Sequence, residues 1–146
     1  MTIPGHRSKS SRGSTLVEFS ISALLLLTTV FAVIQFQRLL LVYTAVANAA
    51  RAGNRYAIVH GSTRTGTGDP SSGPGNTTGV ETVVKNFASA AVLDTSRINT
   101  TVTYPSGNSP GSMVTVKVWY PYDPFIGLFP MLRVNLVSTT AGIITY

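Results

Sequence analysis

The sequence has no cysteine, only two histidines and only five acidic residues among its 146 residues. Without cysteine, disulfide bonds, thiolate catalysis and Cys-ligated metal sites are excluded. The histidines, His6 and His60, have no motif around them, and the acidic residues are scattered, so no nucleophile, base and orienting group form a recognisable pattern. No glycine-rich phosphate loop with its Lys-Ser or Lys-Thr pair is present. We therefore expect no enzymatic activity, no cofactor and no metal site, and we expect His60 to be solvated or to cap a helix.

Charged residues make up only 11% of the chain, and the formal net charge is +6. Three of the eleven cationic residues lie before residue 13, namely Arg7, Lys9 and Arg12. The eight cations and five acidic residues that follow leave a net charge of only +3, spread without a basic cluster. We therefore expect no nucleic-acid partner.

One long stretch has no charge at all. Residues 19–37 form an apolar run of nineteen residues between Glu18 and Arg38. As a helix with ~1.5 Å rise per residue, this run is about 28 Å long, close to the ~30 Å hydrocarbon thickness of a bilayer. The run therefore predicts a transmembrane helix. The basic residues before it predict a cytoplasmic amino terminus and a carboxyl-terminal part outside the inner membrane.

Glu18 stands at the edge of this run, where a carboxylate needs a partner, since a charge at the bilayer centre costs on the order of 3 kcal/mol. If the chain were cut after Gly13, the new amino terminus, Ser14, would lie one helical turn from Glu18. A neighbouring subunit's amine could then meet this carboxylate.

This pattern resembles the signal of type IV prepilins, with a short basic leader, Gly13 at the cut, Glu18 as the fifth mature residue and an apolar helix behind it. Together with Phe19 and residues 48–57, it is similar to the TadE-like pseudopilins of the tight-adherence (Flp pilus) machinery. The Tyr120-Pro121-Tyr122 unit resembles the carboxyl half of the same family. The resemblance implies a pseudopilin or minor pilin, processed by a prepilin peptidase between Gly13 and Ser14, paired through Glu18 and Phe19, and associated with other pilins and the lipid bilayer.

Other readings of the sequence remain open. A secretory signal peptide cut after Ala47 fits poorly, because Gln35, Gln37 and Arg38 interrupt the approach to that position. The chain could instead be the major subunit of a surface filament. A membrane-tethered binding or adhesin module is the alternative from a different class.

The apolar helix is expected to continue beyond the membrane to residue 59, because residues 38–59 contain no proline and a single glycine, Gly53. A polar stripe recurs at helical spacing along it, formed by Thr44, Asn48, Arg51 and Arg55. Small and apolar residues occupy another face, where a second element could approach closely. Arg51 and Arg55 are candidate subunit contacts.

The remaining residues predict a small α+β ectodomain. Glycine, serine and threonine dominate residues 61–79, which we interpret as an exposed flexible linker. Thr78 and Glu81 have capping-box spacing before an amphipathic helix at residues 79–93. Alternating residues 97–104 and 113–120 predict a hairpin. The stretch Pro121-Tyr122-Asp123-Pro124 predicts the end of its second strand, and a third antiparallel strand is expected from residue 133.

An apolar stretch at residues 125–132 precedes that third strand, and Phe125 and Phe129 within it are candidate subunit contacts. The predicted organisation is therefore a basic leader at residues 1–13, a transmembrane segment at 14–37, a helical continuation at 38–60, the linker at 61–79, and a helix-plus-sheet ectodomain of pilin-like type at 80–146.

Overall fold

The computed structural model describes residues 12–63, 71–91, 93–124 and 133–145. The chain divides into two compact units, Met1–Gln37 and Arg38–Tyr146. The elements in chain order are helix α1 (Arg12–Val59), helix α2 (Thr78–Ala90), a 3-10 turn (Thr95–Arg97), and strands β1 (Asn99–Thr103), β2 (Met113–Tyr122) and β3 (Val134–Ile143). The predicted α+β class, with a long apolar helix, a second helix and a three-stranded antiparallel sheet, is confirmed.

The first unit contributes the amino-terminal part of α1. Among the described residues, the stretch Gly13–Val59 is the one helix long and apolar enough to cross a membrane, and none of its most apolar window, with a mean hydropathy of 2.2, is buried. Ser20, Thr28 and Thr29 donate their hydroxyl hydrogens to the carbonyl oxygens four residues earlier, at 2.8, 2.8 and 2.9 Å. These bonds satisfy polar groups inside the helix, as a hydrocarbon environment requires.

The second unit is built on the sheet, whose strand order is β1-β2-β3 with both pairings antiparallel. Successive side chains of a strand point to opposite faces, and alternate residues of the central strand are buried as the alternation predicted. The buried residues of β2 are Val114, Val116, Val118, Tyr120 and Tyr122.

The prediction that the stretch Pro121-Tyr122-Asp123-Pro124 ends the second strand is confirmed, because β2 ends at Tyr122. The pairing of β1 with β2 stops at Asn99↔Trp119, whereas Pro121 pairs with Asn135 of β3. A proline cannot donate a ladder hydrogen bond, and this position has a strand partner on one side only, where proline is tolerated.

Two helical segments cover the inner face of the sheet. On α1 the buried residues include Val42, Val46 and Ala49, as the predicted apolar face requires. Gly53 lies where the two helices and β2 meet, since a Cβ there would be 2.6 Å from Val84 Cγ2 and 3.5 Å from Val116 Cγ1. Hence α1 approaches α2 to a distance that only glycine allows, whereas its contact with β2 is an ordinary van der Waals contact.

The amino terminus of α2 differs from the capping box predicted at Thr78 and Glu81. The N-cap residue is Thr77, and it makes no side-chain bond to a helix amide. Instead its hydroxyl donates to Glu81 Oε1 at 2.8 Å, and its carbonyl accepts the Glu81 amide at 3.0 Å. The helix begins at Thr78 and ends at Ala90 rather than at residue 93. With Thr77 as the N-cap, Glu81 is four residues from the cap, one more than a capping box requires.

Part of the predicted exposed linker is built into the fold, and residues 64–70 of it lie outside the described residues. Ser72 is buried, its amide donating to the His60 carbonyl at 2.6 Å and its hydroxyl lying 2.5 Å from the Tyr104 hydroxyl. Asn108 holds both sides of the linker, because its carbonyl accepts the Ser62 amide at 2.9 Å and its Nδ2 donates to the Ser72 carbonyl at 3.0 Å. The expectation of exposure is therefore wrong at Ser72.

His60 is only 5% exposed, so the expectation of a solvated histidine is wrong. Its ring stacks on Tyr56 with centroids 3.7 Å apart, and its Nδ1 lies 2.8 Å from the Tyr56 carbonyl oxygen. The side chain therefore caps the last turn of α1, which is the other role expected for it.

Candidate functional site

The residues with a predicted role in processing and pairing lie on the first turns of α1. Gly13, Ser14, Glu18 and Phe19 are all exposed, and Phe19 is 72% exposed despite its apolar ring. Ser14 and Glu18 are four residues apart, so they share one face of the helix about 6 Å apart along its axis. The geometry thus presents a small residue and a carboxylate on one exposed face.

Gly13 packs against none of the residues that the structure describes. A Cβ built at this position would meet no atom within 4 Å. In contrast, a Cβ at Gly53 would collide with Val84, and one at Gly79 would lie 2.6 Å from the Tyr56 hydroxyl oxygen. Gly13 is the second residue of α1, so nothing in the packing of the described residues requires glycine at this position.

The polar stripe predicted on α1 is present, and its members are all exposed: Thr44, Asn48, Arg51 and Arg55. The Arg51 guanidinium donates to Asn48 Oδ1 at 3.3 Å. The role of Arg51 and Arg55 in subunit contacts remains a prediction. Phe125 and Phe129 lie outside the described residues.

The second unit also contains an open cleft of about 460 Å³ that sequence reasoning missed. Its lining combines two arginines, an aspartate and two tyrosines with apolar residues, and includes Arg38, Leu41, Val42, Thr44, Ala45, Asn48, Ala91, Leu93, Arg97, Tyr120, Tyr122 and Asp123.

Charged groups at one side of the cleft are paired. Arg97 Nη2 lies 2.5 Å from Asp123 Oδ2, and Arg133 Nε lies 3.7 Å from Asp123 Oδ1. The hydrogen bond with Asp123 raises the pKa of the Arg97 guanidinium, which also lies 5.6 Å from the ring centroid of Tyr120. Hydrogen bonds from Ser96 lower the pKa of Asp94, which precedes the 3-10 turn and accepts the Ser96 amide at 3.0 Å.

The hairpin register was the signal that could have revealed this pair. Asn99 pairs with Trp119, so extending the antiparallel register by two residues brings Arg97 opposite Pro121, beside Asp123. No cluster of three or more His, Asp or Glu side chains suited to a metal ion occurs among the described residues.

An exposed apolar helix of membrane-spanning length and a small α+β unit define a membrane-anchored class of protein. A family model described as TadE-like protein matches residues 13–55 of the chain. No curated protein and no solved structure gives a significant match. The resemblance predicted from the amino-terminal residues is thus confirmed, and it suggests involvement in the Tad pilus; the Tyr120-Pro121-Tyr122 unit lies outside the matched residues.

Proposed function

We propose that this protein is a single-pass membrane pseudopilin or minor pilin that takes part in assembling or anchoring a Flp/Tad-type pilus. The observation that carries the proposal is the coincidence of the TadE-like match with the exposed apolar helix, since the match begins at Gly13 and contains Glu18. The partners are a prepilin peptidase and other pilins and pseudopilins of the same machine. The amino terminus lies in the cytoplasm and the second unit lies outside the inner membrane.

The first step is cleavage between Gly13 and Ser14 by the peptidase. The absence of a packing role for Gly13 supports a role in recognition by this enzyme. Amino-terminal sequencing of the mature protein tests the step, and a start at Ser14 is expected. Gly13→Lys should leave an uncut product that migrates more slowly, whereas Ser8→Lys adds the same charge in the leader and should be cut normally. A mature start elsewhere contradicts the proposal.

The secretory alternative predicts a mature start at Asn48. Cleavage after Ala47 would divide α1 beside Val46 and Ala49, which are both fully buried in the second unit. The core packing of α1 therefore argues against a signal peptide that is removed at this position.

Assembly is physical rather than catalytic in this proposal. Apolar helices leave the lipid and pack side by side, and the Glu18 carboxylate of one protomer pairs with the freed Ser14 amine of its neighbour. The pairing offsets the cost of a carboxylate at the lipid boundary and fixes the register of adjacent helices.

The pairing is tested at Glu18. Glu18→Ala and the near-isosteric Glu18→Gln should both be cut normally but fail to enter the assembled machinery, measured by co-fractionation with the pilus components. Glu18→Asp keeps the negative charge, so part of this variant should still enter the assembled machinery. Assembly of Glu18→Gln at the unmodified level would refute the electrostatic role.

Two other functions make different predictions. A major filament subunit would be abundant in fibres sheared from the cell surface, whereas a minor or basal component would be scarce there. For a tethered adhesin, Gly13 and Glu18 would be replaceable without loss, and surface residues of the second unit would not.

A further inference from the structure

Strand β3 is an open edge of the three-stranded sheet. The order β1-β2-β3 gives it one neighbouring strand. Among the residues that the structure describes, no backbone hydrogen bond joins Val134–Ile143 to any element other than β2. The opposite edge strand, β1, is five residues long, whereas β3 is ten residues long. The β3 edge therefore presents the longer row of backbone groups that a further strand could pair with.

The hydrogen bonds just beyond β3 show which of its groups point outward. Ile144 is bonded on the β2 side, since its amide donates to the Ser112 carbonyl at 2.9 Å and its carbonyl accepts the Gly111 amide at 2.8 Å. The Thr145 amide points the other way and donates to the Ile58 carbonyl at 3.0 Å. Strand residues alternate between these two directions, so the odd-numbered residues of β3 point their backbone groups away from β2. They form the outward row: Asn135, Val137, Thr139, Ala141 and Ile143.

The outward row lacks the features that keep an edge strand from pairing. Val134–Ile143 contains no charged residue and no proline. Its register with β2 runs one residue to one over the whole strand, so it has no bulge. All five side chains of the row are exposed, and those of Val137 and Ile143 are large and apolar. Natural edges are protected by charge, proline, bulges or short length, so this edge is typical of one that another strand covers.

The backbone pattern defines what fits this edge. The five residues of the row offer N–H and C=O groups at the spacing of a strand, which an extended polypeptide matches. A second copy of the chain fits poorly. The antiparallel self-pairing that uses the whole row, centred on Thr139, sets the apolar Ile143 opposite the polar Asn135 of the other copy. The β1 edge of a second copy is too short, because by the same alternation only Thr100 and Val102 point outward from it.

We propose that β3 accepts an extended strand of a different protein, which adds a fourth strand to the sheet. Main-chain hydrogen bonds to the outward row supply the affinity, and the side chains beside Val137 and Ile143 supply the selectivity. The partner strand is uncharged and carries β-branched or other apolar side chains beside these two residues. The proposal rests on neither cleavage at Gly13 nor pairing at Glu18, so failure of those steps leaves it standing.

The test uses the full-length chain in detergent and a synthetic peptide of alternating valine and threonine with lysines at both ends. Binding is followed by amide hydrogen exchange, measured by NMR. In the free protein, the amides of Val137, Thr139 and Ala141 should exchange quickly. Those of Ser138 and Thr140 are bonded to β2 and should be protected. The peptide should slow the exchange of the outward amides in a saturable way, whereas the same peptide with prolines in place of its valines should not.

Lys117 gives a matched pair of variants. It pairs with Thr101 of β1 on one side and with Thr139 of β3 on the other, and both threonines are exposed. Thr101→Lys and Thr139→Lys therefore add the same charge beside the same residue, on opposite edges of the sheet. Thr139→Lys should weaken peptide binding several-fold, because a charged side chain at an edge opposes pairing. Thr101→Lys should leave the affinity unchanged.

A second variant acts on the backbone. Thr139→Pro removes one outward N–H and leaves the ladder to β2 intact, so it should weaken binding on the order of fivefold, the effect of one hydrogen bond, with an unchanged circular dichroism spectrum. Equal weakening by Thr101→Lys, or no protection of the outward amides at about 1 mM peptide, would overturn the proposal. Thr139→Cys tests self-pairing, because the chain has no cysteine of its own. A disulfide-linked dimer of Thr139→Cys, but not of Thr101→Cys, would overturn the proposal in favour of a second copy.

Discussion

The close approach of α1 to α2 at Gly53 gives a prediction whose sign opposes helix propensity. In an exposed helix, Gly→Ala would stabilise the protein by about 1 kcal/mol. At Gly53, however, the new Cβ would be 2.6 Å from Val84 Cγ2 and 3.2 Å from Val80 Cγ1. Both valines are fully buried and β-branched, so neither can turn aside cheaply. Overpacking of this kind costs about 1–3 kcal/mol, so we expect Gly53→Ala to be destabilising by about 1 kcal/mol after the helix gain is subtracted.

The free energy of unfolding can be measured in detergent by guanidinium titration, with the fluorescence of Trp119, the only tryptophan, as the signal. Gly75→Ala, in the turn between Gly73 and Asn76, is the control for adding a methyl group without a clash, because a Cβ there meets nothing within 4 Å; it carries no gain in helix propensity. In a Val84→Ala background the nearest methyl group is gone, so Gly53→Ala should become neutral or stabilising, with a coupling of about 1–3 kcal/mol. If Gly53→Ala stabilises the protein with Val84 intact, or if its effect is the same in both backgrounds, the packing argument is refuted.

Asn54 is 5% exposed, and its Oδ1 has no hydrogen-bond partner among the described residues. In thermal unfolding, Asn54→Ala should therefore be neutral or stabilising by up to about 1 kcal/mol. Asn54→Asp should be clearly destabilising at pH 7, because it buries a charge at the same place. Burial raises the pKa of Tyr104, so the folded protein keeps the phenol proton to a higher pH than the unfolded chain does. The free energy of unfolding should therefore be constant below pH ~10 and fall as the pH rises through the pKa of the folded state. Tyr104→Phe should flatten this part of the pH profile, although it also removes the hydrogen bond to Ser72. Asp123→Asn removes a half-exposed pair with Arg97 and should lower the thermal midpoint only slightly, an effect that 1 M salt should reduce.

The features predicted correctly depend on local periodicity. Alternation at Val114, Val116 and Val118 predicted the buried face of β2, because a strand repeats every two residues. The helical spacing of Val42 and Val46 predicted the covering face of α1 in the same way.

The features that were missed depend on contacts between distant residues. Arg97 and Asp123 are 26 positions apart and meet only through the hairpin register. Ser72 lies against the end of α1, where its amide donates to the His60 carbonyl, and glycine-rich composition does not indicate this contact. By helix propensity alone Gly53 is only a weak helix former, whereas the need for glycine there follows from Val84 on another element.

Asn108 has a consequence for engineering this protein. One asparagine fastens the chain on both sides of residues 64–70, because it bonds to both Ser62 and Ser72. Doubling the length of a loop costs only about 0.6 kcal/mol in closure entropy. An epitope tag inserted between residues 66 and 67 should therefore leave the second unit intact, which gives a place to label the protein while both Gly13 and Glu18 stay untouched.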